Sequence, residues 1–387
     1  MKKMRVLISG GGIAGMAAAW WFERAGAEVT IVEKARSFQP LGHYITLKSH
    51  GVHTVEAMGL LDACREREAA FRDLRAYTPG GRLLRGVDPS MLARKIEGVV
   101  LFRRADLHAA LHDAVAGRAD VRFGAEVSAV REAGDHVEVD VEGKTEVVDL
   151  LLGADGIHSR ARALVFGSGG LERMGGRYIA VTVDYQHGLS PGTISTYMGR
   201  GQFVVLVPRT EDNVSAIVYH ADGGALPSGR DARSVRDFLL RAYGSFVPEV
   251  WRTFEAMDER SFVFMDEIAM VTLPSITRGR IALLGDAAHC PTFMSGMGAS
   301  LALQGAHALS RALSEHGSDV VAGVAAYERS ITGVARGYQH SARSMRRILL
   351  DRSPVLATAR DALVRFTPDW MVGLSARRFY HADPRAA

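Results

Sequence analysis

Residues 10–15 read Gly-Gly-Gly-Ile-Ala-Gly, and their setting constrains the fold more than any other stretch of the chain. An apolar run at 4–8 precedes them. An alanine-rich stretch at 13–25 follows, Gly26 ends it, and a second apolar run occupies 28–32. Short apolar runs bounded by turn residues read as buried parallel strands, and the stretch between them as a helix. Strand, glycine turn, helix and strand make a βαβ unit, which predicts an α/β fold. In a G-x-G-x-x-G of this kind Gly10 allows the tight turn, Gly12 lets backbone approach a pyrophosphate, and Gly15 lets helix and strand pack closely. The helix start at Ile13 and Ala14 offers that anion bare N–H groups. Glu33, followed by Lys34, lies 18 residues past Gly15 at the end of the second strand. A carboxylate there accepts from ribose hydroxyls and repels a 2′-phosphate, so the expected nucleotide is FAD or NAD rather than NADP.

The 387 residues predict two to three domains at roughly 150 residues each. Hydrophobic residues at 47 % and charged residues at 23 % exclude a disordered or fibrous chain. The net charge of +4 comes without any run of five basic residues, so no nucleic-acid partner is expected. Two cysteines, Cys64 and Cys290, exclude a disulfide framework and a cysteine-rich metal site; no metal site is expected. The lysines at 2 and 3 precede an apolar stretch, but the glycine turn, Glu23 and Arg24 interrupt it. A strand and helix explain it better than a signal peptide. With no apolar run of 18 residues, no membrane span is expected, and the expected location is cytoplasmic.

Further along, helices are expected at 53–58, 60–68 and 105–116, with Pro79-Gly80-Gly81 turning between two short strands. Residues 121–152 are strand-rich, with Val137, Val139 and Val141 alternating. Five glycines within 167–176 suggest a crossing between domains. Short strands fill 177–219, helices 235–243 and 248–255, and strands 262–264, 268–271 and 280–284. Helices are expected at 298–315 and 325–350. The order predicts a discontinuous nucleotide-binding domain (1–75, 98–166, 279–350) holding an inserted antiparallel substrate sheet (76–97, 167–278), with a helical segment at 351–387.

Two later segments choose between the nucleotides. Residues 149–160, Asp-Leu-Leu-Leu-Gly-Ala-Asp-Gly-Ile-His-Ser-Arg, resemble the "DG" segment of single-component FAD-dependent aromatic hydroxylases. Gly285-Asp286-Ala287-Ala288-His289, with Pro291 and Gly296-Met297-Gly298, resembles the second FAD segment of the same family. With the N-terminal fingerprint, three motifs in order cover about residues 1–350. The family, the group A flavoprotein monooxygenases, includes p-hydroxybenzoate hydroxylase and the tetracycline-inactivating and antibiotic-tailoring monooxygenases. The resemblance implies a Rossmann-like FAD-binding domain of the p-hydroxybenzoate hydroxylase type with an inserted antiparallel sheet and C-terminal helices. It implies FAD as cofactor, NADH or NADPH as reductant, O2 as co-substrate, and oxygen insertion through a flavin C4a-hydroperoxide. The substrate would be a bulky aromatic or hydrophobic small molecule, for instance a natural-product intermediate, and the chain a monomer or homodimer.

The second segment also makes sense on its own chemistry. Asp286 falls at a strand C-terminus, where ligands bind in open α/β sheets. Gly296, Met297, Gly298 and Ala299 precede or open a long helix whose bare N–H groups suit the electron-rich edge of a reduced flavin. By resemblance Arg104, Val127, Asp155, Gly285 and Pro291 join the cofactor-binding set. Arg162 reads as a plain surface charge. The sequence departs from many relatives at Ser300 (Asn), Phe293 (Pro), Thr46 (Asp) and Lys48 (Arg), which touches substrate choice more than FAD binding. The substrate pocket is expected between sheet and flavin, with Tyr44, Lys48, Tyr197, Tyr219, Phe293 and Met294 as candidate lining or catalytic residues. An FAD oxidase or reductase without oxygen insertion, or a non-catalytic FAD protein, are the rival readings.

Overall fold

The computed structural model describes residues 3–38, 44–48, 50–66, 73–87, 99–222, 227 and 229–368. The glycine fingerprint lies at the centre of a six-stranded sheet. Its order is Thr277–Arg278, Ile281–Leu283, Leu150–Gly153, Arg5–Ser9, Glu28–Glu33 and Asp120–Phe123. The last five strands are parallel; the first pairs antiparallel at the edge. Val6, Leu7, Ile8, Leu150, Leu151 and Leu152 are all at most 1 % exposed, as strands covered on both faces require. The helices Ile13–Arg24, Gly298–His316 and Val320–Leu349 cover one face, with Ala17, Ala18, Leu303, Ala306 and Tyr327 in one apolar core. A three-stranded meander, Val127–Glu132, Val137–Val141 and Lys144–Val148, covers the other.

A seven-stranded sheet forms the second layer system. Its order is Phe262–Val271, Leu171–Asp184, Asn213–Ala221, Gln202–Pro208, Thr193–Met198, Asp73–Tyr77 and Leu83–Val87. Directly paired residues on neighbouring strands share a face. One row runs Tyr197, Val204, Val218 and Ile179. It packs under the helices Ala232–Ala242 and Pro248–Glu255, whose Val235, Phe238, Leu239, Val250 and Phe254 are buried against it. The adjacent row runs Met198, Phe203, Tyr219, Tyr178 and Asp266 on the opposite face, toward the first sheet.

Three expectations are refined. Only 167–170 of the glycine-rich stretch joins elements, because the strand Leu171–Asp184 already begins inside it. A register shift between Arg173 and Arg177 absorbs Gly175 at φ 75°, and a Cβ at Gly176 would stand 2.9 Å from the His220 carbonyl oxygen. The strands expected at 262–264 and 268–271 are one, Phe262–Val271. Near the C-terminus the helix Pro354–Phe366 docks through Arg360, whose guanidinium donates to the carbonyls of Gly199 (2.7 Å) and Met198 (3.1 Å).

Candidate functional site

The parallel strands end in a common crevice, and the glycine turn forms its floor. Gly10 has φ 108°, and its N–H donates to the Val32 carbonyl at 2.8 Å. A Cβ there would sit 2.5 Å from the Ala154 carbonyl oxygen, so two strand ends meet only over a glycine. A Cβ at Gly15 would lie 1.9 Å from the Gly10 carbonyl oxygen, which sets how closely the helix Ile13–Arg24 approaches the strand. Gly12 caps that helix with no side-chain hydrogen bond and nothing within 4 Å of its missing Cβ. Its first turn holds no acid. Bare N–H groups and the helix dipole therefore face the crevice, a fit for a pyrophosphate.

The crevice is lined by Gly10, Gly12, Glu33, Lys34, Arg104 and Asp155, and by Ser9, Ala125, Glu126, Gly156, His158 and Arg160, which the sequence did not single out for it or left undecided. Backbone N–H groups of Gly11 (2.8 Å) and Ala35 (2.9 Å) each donate to one Glu33 oxygen. The carboxylate is thus fixed with lone pairs left for ribose hydroxyls. Asp155 accepts from Arg160 N–H (2.7 Å), Ala161 N–H (3.0 Å) and the Ser159 hydroxyl, so its first work is to hold the start of the helix Arg160–Phe166. Val127 is fully buried in the meander core and could reach a ligand only through its backbone, whose carbonyl already accepts from Arg160 Nε at 3.0 Å.

Arg104 opens the helix Arg104–Val115 and stands between the two halves of the site. Burial pushes its guanidinium pKa down, and the nearby Asp286 and Tyr178 oppose that. One turn on, His108 Nε2 meets the Gly11 carbonyl at 2.7 Å, and burial lowers its pKa. The i, i+4 spacing from Arg104 was the available sequence signal for it.

The second segment leaves the strand Ile281–Leu283 through Gly285, at φ 62°, where a Cβ would meet the Ala14 methyl at 2.8 Å. The carboxyl of Asp286 is pushed up by burial and held back by Cys290 and Arg104. It lies 3.7 Å from where a Gly298 Cβ would be, so it faces the start of the helix Gly298–His316. That helix begins after Met297 with no side-chain cap. Pro291 is buried, and Ala299 and Gly298 are half-buried at the helix start. Gly296 is left-handed at φ 60°, and a Cβ on it would stand 3.1 Å from Lys48 Nζ. Lys48 is thereby brought to the loop; its N–H donates to Ser300 Oγ at 3.2 Å. Arg104 lines the crevice and lies near Asp286, so the two helix starts, Glu33 and Asp286 together offer FAD matching groups for pyrophosphate, adenosine ribose, ribityl chain and ring edge.

Phe293 and Met294 lie in the short 3-10 turn Phe293–Ser295 against the seven-stranded sheet. Phe293 stacks on Tyr178 at 4.0 Å and 14°, and Tyr219 meets Tyr178 edge-on at 5.3 Å. Tyr178 is the central residue that sequence reading missed. Its alternation with Ile179 and Val181 did show a two-faced strand, but not which face looks toward the cofactor. Two readings are corrected. Tyr197 is not at this face: the strand's two-residue period turns it under the helices, stacked on Tyr77 at 5.3 Å, with burial pushing its phenol up to about 12. Arg162 is not a surface charge: it is 6 % exposed and donates to the carbonyls of Ala287 (3.0 Å) and Ile157 (2.7 Å), tying the two FAD segments together. The Tyr44 side chain lies outside the described residues.

Residues 3–339 match the family model described as FAD binding domain. The chain belongs to this family. A flavin-dependent monooxygenase from an unknown prokaryotic organism is 30 % identical over 329 residues, 84 % of each chain. Among solved structures, Klebsiella pneumoniae HpxO complexed with FAD and uric acid superposes with a TM-score of 0.87 at 24 % identity, covering 99 % of this chain and 98 % of that one. The tetracycline destructase Tet(55) gives 0.80 at 24 % identity, covering 98 % and 97 %. The family is that of FAD-dependent group A monooxygenases with the p-hydroxybenzoate hydroxylase fold, and the chain is one of these oxygen-inserting flavoproteins. Among the described residues no helix is long and apolar enough to cross a membrane.

Proposed function

We propose that the chain oxygenates a bulky aromatic or hydrophobic small molecule, with NADH or NADPH as electron donor, as a cytoplasmic monomer or homodimer. The observation that carries the substrate class is the sheet face opposite the flavin segment. Tyr178, Tyr219, Phe203, Phe264 and Phe293 form a connected aromatic surface there. Phe264 is 36 % exposed, and Tyr219, Phe203 and Phe293 are half-buried, so the surface is partly exposed around Tyr178, which Phe293 covers. Aromatic faces of this kind recognise flat rings by stacking.

Bound FAD supplies the redox chemistry: two electrons from the nicotinamide and activation of O2, one oxygen atom going to the substrate and the other to water. The residues supply position and exclusion. Gly12 and the helix start at Ile13 would hold the pyrophosphate, Glu33 the adenosine ribose and Asp286 the ribityl hydroxyls. The N–H groups at Gly298 and Ala299 would favour negative charge on the ring edge near them. Lys48 adds a cation beside the same loop, placed to favour an anionic ring edge or a phenolate. The apolar Phe293–Met294 turn would keep water away from the cofactor's reacting edge.

The test is FAD loading, then NADH and NADPH oxidation under air with a panel of phenols and polyketide-like aromatics. Substrate-stimulated oxidation and a product heavier by one oxygen atom support the proposal. Turnover without added oxygen points to an oxidase or reductase instead.

A further inference from the structure

We propose that Phe293 is a specificity-determining residue that limits the breadth of the ligand accepted against the sheet, and that Thr292 is the residue that positions it. The inference rests on the reading of the aromatic face as the substrate's place. It starts from a backbone anomaly. Thr292 has φ 66° and ψ 161°. Among the described residues Thr292 and Glu142 are the non-glycine residues with positive φ. A β-branched residue there is strained, and such strain persists only where the surroundings over-determine it.

The surroundings do so. Thr292 is 3 % exposed. Its hydroxyl accepts from Met294 N–H at 3.1 Å, and its carbonyl accepts from the Ser295 N–H (3.3 Å) and hydroxyl (3.0 Å). The Ser295 hydroxyl in turn accepts from Met297 N–H at 3.1 Å. Just upstream, the Cys290 carbonyl accepts from Val271 N–H at 3.1 Å, pinning the loop to the sheet edge. Between these two anchors the positive φ turns Phe293 onto the sheet. Its ring lies flat on Tyr178 at 4.0 Å and edge-on to Phe264 at 6.2 Å, so it fills the middle of the aromatic face rather than its rim. A ligand between loop and sheet must lie beside this ring or displace it. A small single ring fits beside it and gains its edge. A broad fused-ring ligand needs the space it occupies.

The test uses the FAD-loaded protein and two probes, catechol and a dihydroxyanthraquinone, with dissociation constants read from perturbation of the flavin absorption band. Phe293→Ala should move the ratio of the two constants toward the anthraquinone by about tenfold, with FAD content unchanged. Thr292→Pro cannot take the positive φ and should move the ratio the same way. Thr292→Gly keeps that φ without strain and should leave the ratio within about twofold of wild type. If Phe293→Ala does not load FAD, Phe293→Leu must shift the ratio in the same direction. An unchanged ratio in the Phe293 variants overturns the role of Phe293. A Thr292→Pro ratio like wild type overturns the positioning role of Thr292, and a Thr292→Gly ratio like Phe293→Ala overturns the positive φ as its means. Wild type that binds neither probe removes the aromatic-site reading itself, and this inference with it.

Discussion

Acid should destabilise this protein through one buried histidine. His289 closes the Gly285–His289 segment, is 5 % exposed, and has no hydrogen-bond partner among the described residues at either ring nitrogen. Burial drives its pKa from 6.5 down to about 4. The folded state therefore binds this proton less readily than the unfolded chain. The sign follows directly: the contribution is fully present above pH 6.5 and is lost as pH falls from there toward 4. One pKa unit corresponds to about 1.4 kcal/mol, so the loss relative to neutral pH is about 2 kcal/mol by pH 5 and about 3 kcal/mol by pH 4. His108, His220 and His307 also have lowered pKa values, so total acid sensitivity does not isolate His289. The comparison with His289→Gln does. Urea unfolding of the FAD-loaded proteins should show wild type losing about 2 kcal/mol more than the variant between pH 7 and pH 5. Parallel pH profiles for the two proteins would refute the reasoning, since the buried, unpartnered imidazole would then carry no proton linkage.

Other outcomes follow from the same contacts. Gly15→Ala forces a methyl to 1.9 Å from a carbonyl oxygen and should cut the flavin-to-protein absorbance ratio of the purified protein by about tenfold or more. Glu33→Gln keeps the shape, but its amide nitrogen cannot accept, so one of the two backbone hydrogen bonds is lost and the other loses its charge; FAD binding should weaken about tenfold in a flavin-fluorescence titration. Arg162→Ala leaves the Ala287 and Ile157 carbonyls without their donor and should cost about 3 kcal/mol in urea unfolding. Tyr197→Phe lies on the helix-covered face and should leave turnover of any identified substrate within about twofold, while Tyr219→Ala should raise KM.

Much of the cofactor cradle was legible because its chemistry is local in sequence. The turn at Gly10–Gly15 needs glycine for contacts made within a single strand-turn-helix unit, and Glu33 follows at the end of the next strand. Gly285-Asp286 likewise announces itself by ending a strand before a helix. The substrate face was not legible in the same way. Tyr197 and Tyr219 both alternate with apolar neighbours, and which of them faces the cofactor depends on cross-strand register, which no single strand encodes. Tyr178 was missed for that reason. Arg162 was misjudged because its burial comes from carbonyls at Ala287 and Ile157, the first of them 125 positions along the chain. The positive φ of Thr292 left no sequence signal, since threonine is not a residue from which a left-handed turn is expected.

The central claim is that this chain transfers one oxygen atom from O2 to an aromatic ligand held beside Phe293 on the Tyr178–Tyr219 face. The most direct measurement is turnover of the FAD-loaded protein with NADH or NADPH under isotopically heavy dioxygen, with mass spectrometry of the product of the best-binding aromatic. One heavy oxygen atom in the product, and its loss in Asp286→Ala, is the expected result. Reduced nicotinamide consumed with all the oxygen recovered as hydrogen peroxide, for every aromatic that binds, would contradict the account.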